Sequence, residues 1–293
     1  MSSTSVHTLA DGRRMSFALY GSPHRVRTVI YVHGFPGSRR EGSLFDSAAR
    51  ARGITIIAPN RPGFGSSDPQ AHRTLLGWAD DIRALCAALS IERTAMIGVS
   101  GGGPYALACA HTLPPVVSSL QVVSTLAPPD APHVFTGMAR GNRLMFGMMR
   151  SAPHVAQLMT RALASAWASS PELCLAWFRA FVPHADRRLL RRPEIHNLMI
   201  DNIRTAFEHG SRGPADDFSI IARPWGFALA DISVPTTVWH GLADTYVPPA
   251  MGAYVARMIP GAPYRTFPDS GHLLLMERIE EILDAAVSPD SRQ

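Results

Sequence analysis

The chain has 293 residues, of which 46 % are hydrophobic and 17 % are charged, and its formal net charge at pH 7 is +5. A chain of this length and composition can bury a large apolar core, which excludes a mainly disordered protein. All 28 basic residues are arginine. The absence of lysine excludes chemistry that needs a lysine amine, such as a Schiff base or a Walker A phosphate-binding loop.

The positive charge does not predict a nucleic-acid partner. The most basic stretch, residues 187–192, has two arginine pairs but no accompanying zinc-ligand spacing or aromatic pattern. Three widely separated cysteines predict neither a disulfide framework nor a metal site. The first residues have no basic region followed by an apolar one, so we expect no secretory signal. We therefore expect a cytoplasmic protein that needs no metal or cofactor and binds no nucleic acid.

Residues 94–129 contain no Asp, Glu or Arg and superficially resemble a membrane span. Glycines and prolines interrupt this stretch at several positions, which favours strand, turn, helix and strand within a soluble core. We expect no membrane-spanning segment.

Short apolar runs predict the strands. Residues 6–19 alternate around Asp11-Gly12, which predicts a hairpin. Five further runs are rich in β-branched residues, which is typical of strands buried on both faces of a parallel sheet, and residues 264–267 are a weaker last candidate. The five runs are 28–34, 54–60, 94–100, 120–126 and 236–240.

Helical patterns lie between these strands, over 75–89, 104–111, 250–259 and 273–286. In the first of them, the apolar residues fall on one stripe of a helix. Strands and helices that alternate in this way predict an α/β fold with a doubly wound, mostly parallel sheet.

Residues 130–227 interrupt the alternation. They are rich in methionine, have helical spacing and no clear strand, and carry twelve arginines against eight acidic residues. We predict a helical insert, a cap or lid, over 130–227, and a core formed by residues 1–129 and 228–293.

The sharpest motif is Gly98-Val99-Ser100-Gly101-Gly102, which matches G-x-S-x-G between a predicted strand and a predicted helix. The motif requires this context, because a sharp strand-to-helix turn exposes the serine hydroxyl at the helix N-terminus. Glycines on both sides remove the Cβ atoms that would clash in so tight a turn. Ser100 is therefore the predicted nucleophile.

A serine hydroxyl is a weak nucleophile at neutral pH and needs a base. Among twelve histidines, His272 follows the last predicted strand and precedes a helix, so it can reach the edge of the sheet. The base needs a carboxylate that orients it. Asp244, after the preceding strand, is the favoured candidate, and Asp130 is the alternative.

The chemistry also needs donors for an oxyanion. The N–H of Gly101, next to the nucleophile, is one candidate. The loop that begins His33-Gly34-Phe35-Pro36 offers the other, the N–H of Phe35, because proline has no N–H.

Taken together, these segments resemble the α/β-hydrolase superfamily over essentially the whole chain. The matching segments, in order, are His33-Gly-Phe-Pro-Gly37, Arg61-Pro-Gly-Phe-Gly-Ser66, Gly98-Val-Ser-Gly-Gly102 and the loops of Asp244 and His272. The resemblance implies the α/β-hydrolase fold, a triad in the order Ser, Asp, His, and a cap at 130–227. Asn60 is a departure, because relatives commonly have Asp at this position. The position lies outside the triad.

The residue type at position 100 limits which reactions of this superfamily are possible. Haloalkane dehalogenases and epoxide hydrolases of this superfamily have Asp there, so acyl transfer through an acyl-serine remains. We predict a serine esterase, without cofactor, whose partner is a small or medium, largely apolar ester. The same triad serves amides, lactones, thioesters, C–C bonds or acyl transfer in a biosynthetic pathway, and a catalytically silent ligand-binding protein is a further alternative.

The sequence also suggests which residues line the substrate pocket, and it leaves the oligomeric state open. Apolar side chains of the insert suit an adaptable pocket, although each could instead pack the insert onto the sheet. The predicted pocket residues are His33, Gly34, Met138, Phe146, Met149, Trp177 and Phe178.

Overall fold

A computed structural model describes residues 4–288. The side chains of Met149, Arg150, Pro153, Ala156, Gln157, Thr160, Ala180 and Phe181 lie outside that description. The strands within it are β1 Thr4–Thr8, β2 Arg14–Gly21, β3 Arg27–Val32, β4 Ile54–Pro59, β5 Thr94–Val99, β6 Val117–Val123, β7 Thr236–Gly241 and β8 Tyr264–Phe267.

Strands β1, β2 and β3 follow one another directly. From β3 onward at least one helix lies between successive strands, and six α-helices follow one another between β6 and β7 within the described residues. The α-helices are α1 Asp46–Ala51, α2 Leu75–Ala88, α3 Gly103–Thr112, α4 Arg140–Ser151, α5 Pro153–Ser169, α6 Pro171–Phe181, α7 His184–Leu189, α8 Pro193–Ala206, α9 Arg212–Ile221, α10 Pro249–Met258, α11 Leu274–Glu277 and α12 Ile279–Val287. The short 3₁₀ helices are Arg39–Phe45, Ser100–Gly102 and Leu229–Asp231.

All eight described strands form one sheet in the order β1-β2-β4-β3-β5-β6-β7-β8. The pairs β1–β2 and β2–β4 are antiparallel, and the other neighbours are parallel. This is the doubly wound, mostly parallel sheet that the alternation predicted. The carboxyl ends of β3, β5, β7 and β8 consequently meet at one edge of the sheet.

Side chains of the central strands alternate between two apolar layers, as the two-residue period of a strand requires. In β4, Ile57 faces the layer that contains α2, α3 and α10, whereas Ile56 faces the layer that contains α1 and α12. Every residue of β4 is buried. Burial on both faces explains why these runs read as continuous apolar sequence rather than as an alternating pattern.

The predicted elements agree with the observed ones apart from local differences. The predicted strand 120–126 lies at Val117–Val123, because Ser124 takes a positive φ of 47° and ends the strand. The predicted helix 273–286 is two helices, α11 and α12, since Arg278 leaves the helical conformation at φ −129°. The short helix α1 was not predicted.

The described residues of 130–227 contain no strand, and their helices reach the sheet through buried polar side chains. Asp186 of α7, Asn202 of α8 and Asp217 of α9 are each fully buried and bond to loops at the carboxyl edge of the sheet. The division into a core and a cap stays a prediction. No helix in residues 4–288 is both long and apolar enough to cross a membrane.

Candidate active site

Ser100 lies in the sharp turn between β5 and α3. Its φ is +51°, in the left-handed region that few residues other than glycine adopt, as expected for a strained functional turn. Two glycines allow this turn to pack against its surroundings. A Cβ on Gly98 would lie 2.5 Å from the Cβ of Ala106, and one on Gly102 would lie 2.3 Å from the Val32 carbonyl oxygen.

The structure brings Ser100, His272 and Asp244 together in one hydrogen-bonded chain. The Nε2 atom of His272 lies 3.0 Å from the Ser100 Oγ, and its Nδ1 lies 2.8 Å from the Asp244 Oδ2. The carboxylate can only accept, so Nδ1 carries the proton and Nε2 accepts from the serine hydroxyl. All three residues are buried. Asp130, the alternative carboxylate, is exposed after β6.

The carboxylate of Asp244 is held by its own loop. Its Oδ1 accepts hydrogen bonds from the backbone N–H groups of Tyr246 and Val247, both at 2.9 Å. Burial by itself would raise the pKa of Asp244, but the charges and hydrogen bonds of His272 and His240 lower it to about 2. Burial likewise opposes protonation of His272, yet the Asp244 carboxylate raises the pKa of His272 above its ordinary value. The pair therefore favours a charged imidazole once a proton arrives.

The loop that carries the Phe35 N–H packs against the turn that carries Ser100 and the Gly101 N–H. A Cβ placed on Gly101 would be 3.5 Å from the Phe35 nitrogen, and one on Gly34 would be 3.6 Å from the Ser100 Cβ. In the described part of the chain, neither the N–H of Phe35 nor that of Gly101 has a hydrogen-bond acceptor. Both donors are therefore free to bind an oxyanion that forms at a carbonyl attacked by Ser100.

A model of the α/β-hydrolase fold family matches residues 27–279. The chain belongs to the α/β-hydrolase family. It is an enzyme of that fold, as several of its curated relatives are.

Three comparisons illustrate the range of relatives. The dihydrolipoyllysine-residue acetyltransferase component of an acetoin-cleaving system from Cupriavidus necator is 26 % identical over 92 % of this chain, and the chain spans 65 % of that protein. A 2-hydroxy-6-oxononadienedioate/2-hydroxy-6-oxononatrienedioate hydrolase from Cupriavidus pinatubonensis is 26 % identical, over 84 % of this chain and 80 % of the relative. A thermophilic esterase from Thermogutta terrifontis has a TM-score of 0.67 at 24 % identity, over 97 % and 96 % of the two chains.

In this α/β-hydrolase, the peptide unit between Gly34 and Phe35 is held from its carbonyl side. The Gly34 oxygen accepts from the Arg61 Nη2 at 3.0 Å and lies 2.9 Å from the His33 Nδ1. The Gly34 carbonyl and the Phe35 N–H belong to one planar unit, so fixing the first also fixes the direction of the second. Arg61 bonds to the His33 carbonyl oxygen as well.

Arg61 is itself held by a buried carboxylate of α9. Its Nη2 lies 2.9 Å from the Asp217 Oδ2, and neither side chain is accessible to solvent. Asp217 also accepts from the Tyr105 hydroxyl at 2.6 Å and lies 3.2 Å from the Arg73 Nη1. Asp217 belongs to the helical segment, residues 130–227. The hydrolase thus uses this segment to fix the loop of Gly34 and Phe35, which is the candidate oxyanion loop.

Hydrogen bonds through Glu41 link the Gly34 N–H of the same loop to Asn202 of α8. The Gly34 N–H donates to the Glu41 Oε2 at 3.0 Å, and Glu41 also accepts from Tyr31 and Asn202, both at 2.8 Å. The orientation of the Asn202 amide is unambiguous, because its oxygen accepts from the Ser38 N–H at 2.8 Å. Burial raises the pKa of Glu41.

A cavity of about 130 Å³ adjoins Ser100 and His272. Besides Ser100 and His272, the polar side chains in its walls are those of Glu41, Tyr31 and Tyr246, and the other lining residues are apolar. The side chains that α5, α6 and α8 contribute to it are Leu163, Ala164, Trp167, Phe178, Leu198, Met199 and Ile203.

Of the seven predicted pocket residues, Gly34 and Phe178 line this cavity. His33 is fully buried beneath the loop, and the Met149 side chain lies outside the described residues. The other three residues do not reach the cavity. Met138 and Phe146 pack into the main apolar core, and Trp177 is 64 % exposed on α6.

Sequence reasoning missed several residues that shape the site. Helical periodicity identifies apolar positions but not the neighbour that each one meets, so Phe146 was expected in the cavity and instead packs on Phe218. Asp217 and Asn202 gave no local signal, because their partners lie far away along the chain. Arg61 was within a recognised motif, although the motif alone did not suggest that it holds the oxyanion loop.

Proposed function

We propose that this hydrolase cleaves small, largely apolar carboxylic esters through an acyl-serine intermediate, with Ser100 as the nucleophile. The supporting observation is the hydrogen-bonded chain in which the Ser100 Oγ is 3.0 Å from the His272 Nε2 and the His272 Nδ1 is 2.8 Å from Asp244. Such a chain supplies both the base that a serine hydroxyl needs and the carboxylate that orients the base.

In the proposed reaction, the Ser100 Oγ bonds to the ester carbonyl carbon while its proton passes to the His272 Nε2. The carbonyl oxygen becomes an oxyanion that accepts from the N–H groups of Phe35 and Gly101. His272 then returns the proton to the leaving alcohol. A water molecule, deprotonated by His272, releases the acid from Ser100, and Asp244 stabilises the charged imidazole in both halves.

The size and lining of the cavity support a small apolar group beside the scissile bond. Its volume of about 130 Å³ is close to the roughly 150 Å³ of an apolar protein cavity that binds benzene. An acyl or alcohol group up to the size of a benzene ring therefore fits, whereas a long acyl chain needs further space.

The walls that Leu163, Phe178 and Met199 supply support a second part of the proposal, that residues 130–227 act as a cap over the site. A cap of this kind excludes water from the acyl-serine until the alcohol has left. A cytoplasmic location stays a prediction from the sequence.

The test combines a fluorophosphonate probe with ester hydrolysis. We expect the probe to label Ser100, and Ser100→Ala to lower turnover of an activated acetate ester by about four to six orders of magnitude. Ser47→Ala, at an exposed serine of α1, is the matched control and should leave turnover unchanged. A folded Ser100→Ala variant with near-normal turnover would refute the assignment.

Product analysis separates the ester reaction from the other bonds that a serine triad can cleave. The panel holds benzoate and acetate esters, an aryl amide, a lactone, a thioester and a C–C bond beside a ketone, each with and without an alcohol acceptor. We expect the highest kcat/KM with a small ester. Faster cleavage of another bond, or transfer to the alcohol, would replace the ester proposal. Absence of labelling together with tight ligand binding would replace it with a binding protein.

A further inference from the structure

A buried carboxylate of the helical segment accepts hydrogen bonds from the backbone of the loop that carries His272. Asp186 lies on α7, and its side chain is fully buried. Its Oδ2 accepts from the His272 N–H and its Oδ1 accepts from the Leu273 N–H, both at 2.9 Å. Both oxygens face N–H donors, so the ionised form of the carboxylate fits this geometry.

The loop is shaped to admit this carboxylate. A Cβ on Gly271 would lie 2.4 Å from the Asp186 Oδ2 and 2.6 Å from its Cγ, so any larger residue would displace Asp186. The His272 side chain leaves the backbone at the point that Asp186 holds. A shift of that backbone would therefore move the Nε2 atom away from the Ser100 hydroxyl.

The charged groups near Asp186 determine whether its carboxylate and the His272 imidazole favour their ionised forms. Among the side chains that the structure describes, no arginine or histidine forms an ion pair with Asp186 at 4.0 Å or less. Burial raises the pKa of Asp186 above its ordinary value, and the Asp244 charge adds to that rise. The N–H groups of Leu273 and His272 and the charge of His272 act in the opposite direction and favour the ionised carboxylate. Arg187, the next residue on α7, donates to the Val182 carbonyl. Acting on His272 from the other elements, Asp244 and Glu41 also favour the protonated imidazole.

We propose that Asp186 is a positioning residue for His272: it fixes the backbone from which the imidazole reaches Ser100, and its charge stabilises the imidazolium that forms during attack. The inference rests on the proposed hydrolysis, in which His272 is the base. It also gives the helical segment a role in catalysis beyond covering the cavity, since α7 must be in place for His272 to be aligned.

The alignment is tested by Asp186→Asn, which preserves the shape of the side chain. The amide removes the charge and turns one acceptor into a donor that faces an N–H group. We expect kcat for an activated ester to fall about 10- to 100-fold, because small misplacements of a catalytic group cost this much. We expect KM to change less than about threefold, because Asp186 does not line the cavity. Glu194→Gln, at an exposed carboxylate of α8, removes the same charge as a control and should leave kcat unchanged.

A loss of global stability alone would not change the titration of His272 in the folded enzyme, so the pH dependence provides the second readout. Removing the Asp186 charge should lower the pKa of His272, which moves the acid limb of kcat/KM to lower pH by about half a unit to one unit. NMR titration of the imidazole nitrogens, assigned with a His272→Gln variant, measures the same shift without requiring turnover.

The outcomes distinguish the two proposals. If the parent hydrolyses no ester and Ser100 resists the probe, but the His272 titration still moves in Asp186→Asn, the proposed function fails and the placement of Asp186 stands. If the parent is active, and folded Asp186→Asn matches it in kcat and in the His272 titration, the inference about Asp186 is overturned.

Discussion

The buried pair between Arg61 and Asp217 makes a strong prediction about stability. In Asp217→Asn, the side chain keeps its shape but loses its charge. Its amide nitrogen would also be a donor that faces the donors of Arg61, Arg73 and Tyr105. In the parent, these partners lie between 2.6 and 3.2 Å from the carboxylate oxygens, and the three charged side chains are at most 4 % exposed.

The magnitude follows from this geometry. Removing one partner of a buried ion pair typically costs 3–5 kcal/mol, because the remaining charge is left buried without compensation. Two arginines lose their counter-charge here, so we expect the free energy of unfolding to fall by about 4 kcal/mol. A typical domain is stable by only about 5–15 kcal/mol, so the loss is large on that scale. Activity should fall as well, because Arg61 would no longer hold the Gly34 carbonyl.

The assay is urea unfolding at 25 °C, with linear extrapolation of the free energy to water. Tyr105→Phe removes one hydrogen bond and leaves both ion pairs, so it should cost about 1–2 kcal/mol. Asp80→Asn, at the exposed pair with Arg83, makes the same chemical change in solvent and should cost less than about 1 kcal/mol. An Asp217→Asn variant within 1 kcal/mol of the parent would refute the reasoning.

Three further predictions concern pH, the turn and the cavity. Burial lowers the pKa of His272, but the Asp244 carboxylate raises it overall above the ordinary value for histidine. We therefore expect kcat/KM to fall as the pH drops through a midpoint above that ordinary value, and a midpoint below it would contradict the raised pKa. Gly102→Ala should lower the melting temperature and abolish probe labelling, since its Cβ would lie 2.3 Å from a carbonyl oxygen. Gly147→Ala, in open space on α4, should instead stabilise the fold by about 0.5–1 kcal/mol. Ala164→Leu partly fills the cavity, so it should raise KM for a benzoate ester more than for an acetate ester, and equal effects on both would argue against this cavity as the substrate site.

Sequence patterns predicted much of the fold because strands and tight turns are local features. The runs at 54–60 and 94–100 became β4 and β5 almost residue for residue. The glycine spacing around Ser100 predicted the turn, since the clashes it avoids arise within a few residues and against the adjoining strand. The approach of His272 and Asp244 to Ser100 was expected from the parallel arrangement, which gathers successive strand ends at one edge.

Apolar side chains of the helical segment were placed less successfully. Met138, Phe146 and Trp177 have the residue types of a pocket lining, yet two of them lie in the main core and one is largely exposed. Periodicity predicts which side of a helix is apolar. The crossing angle and depth at which that helix packs then decide whether the side faces the sheet, the cavity or the solvent.

The composition and motifs of this chain therefore establish an α/β-hydrolase with a serine in the sharp turn after β5, because each of those features depends on near neighbours along the backbone. The supports of the site do not follow from them. Asp186, Asn202 and Asp217 bond to partners 86, 161 and 156 positions away, respectively. Contacts over such separations exist only once the helical segment has packed against the carboxyl edge of the sheet, and that packing depends on the shapes of both surfaces together.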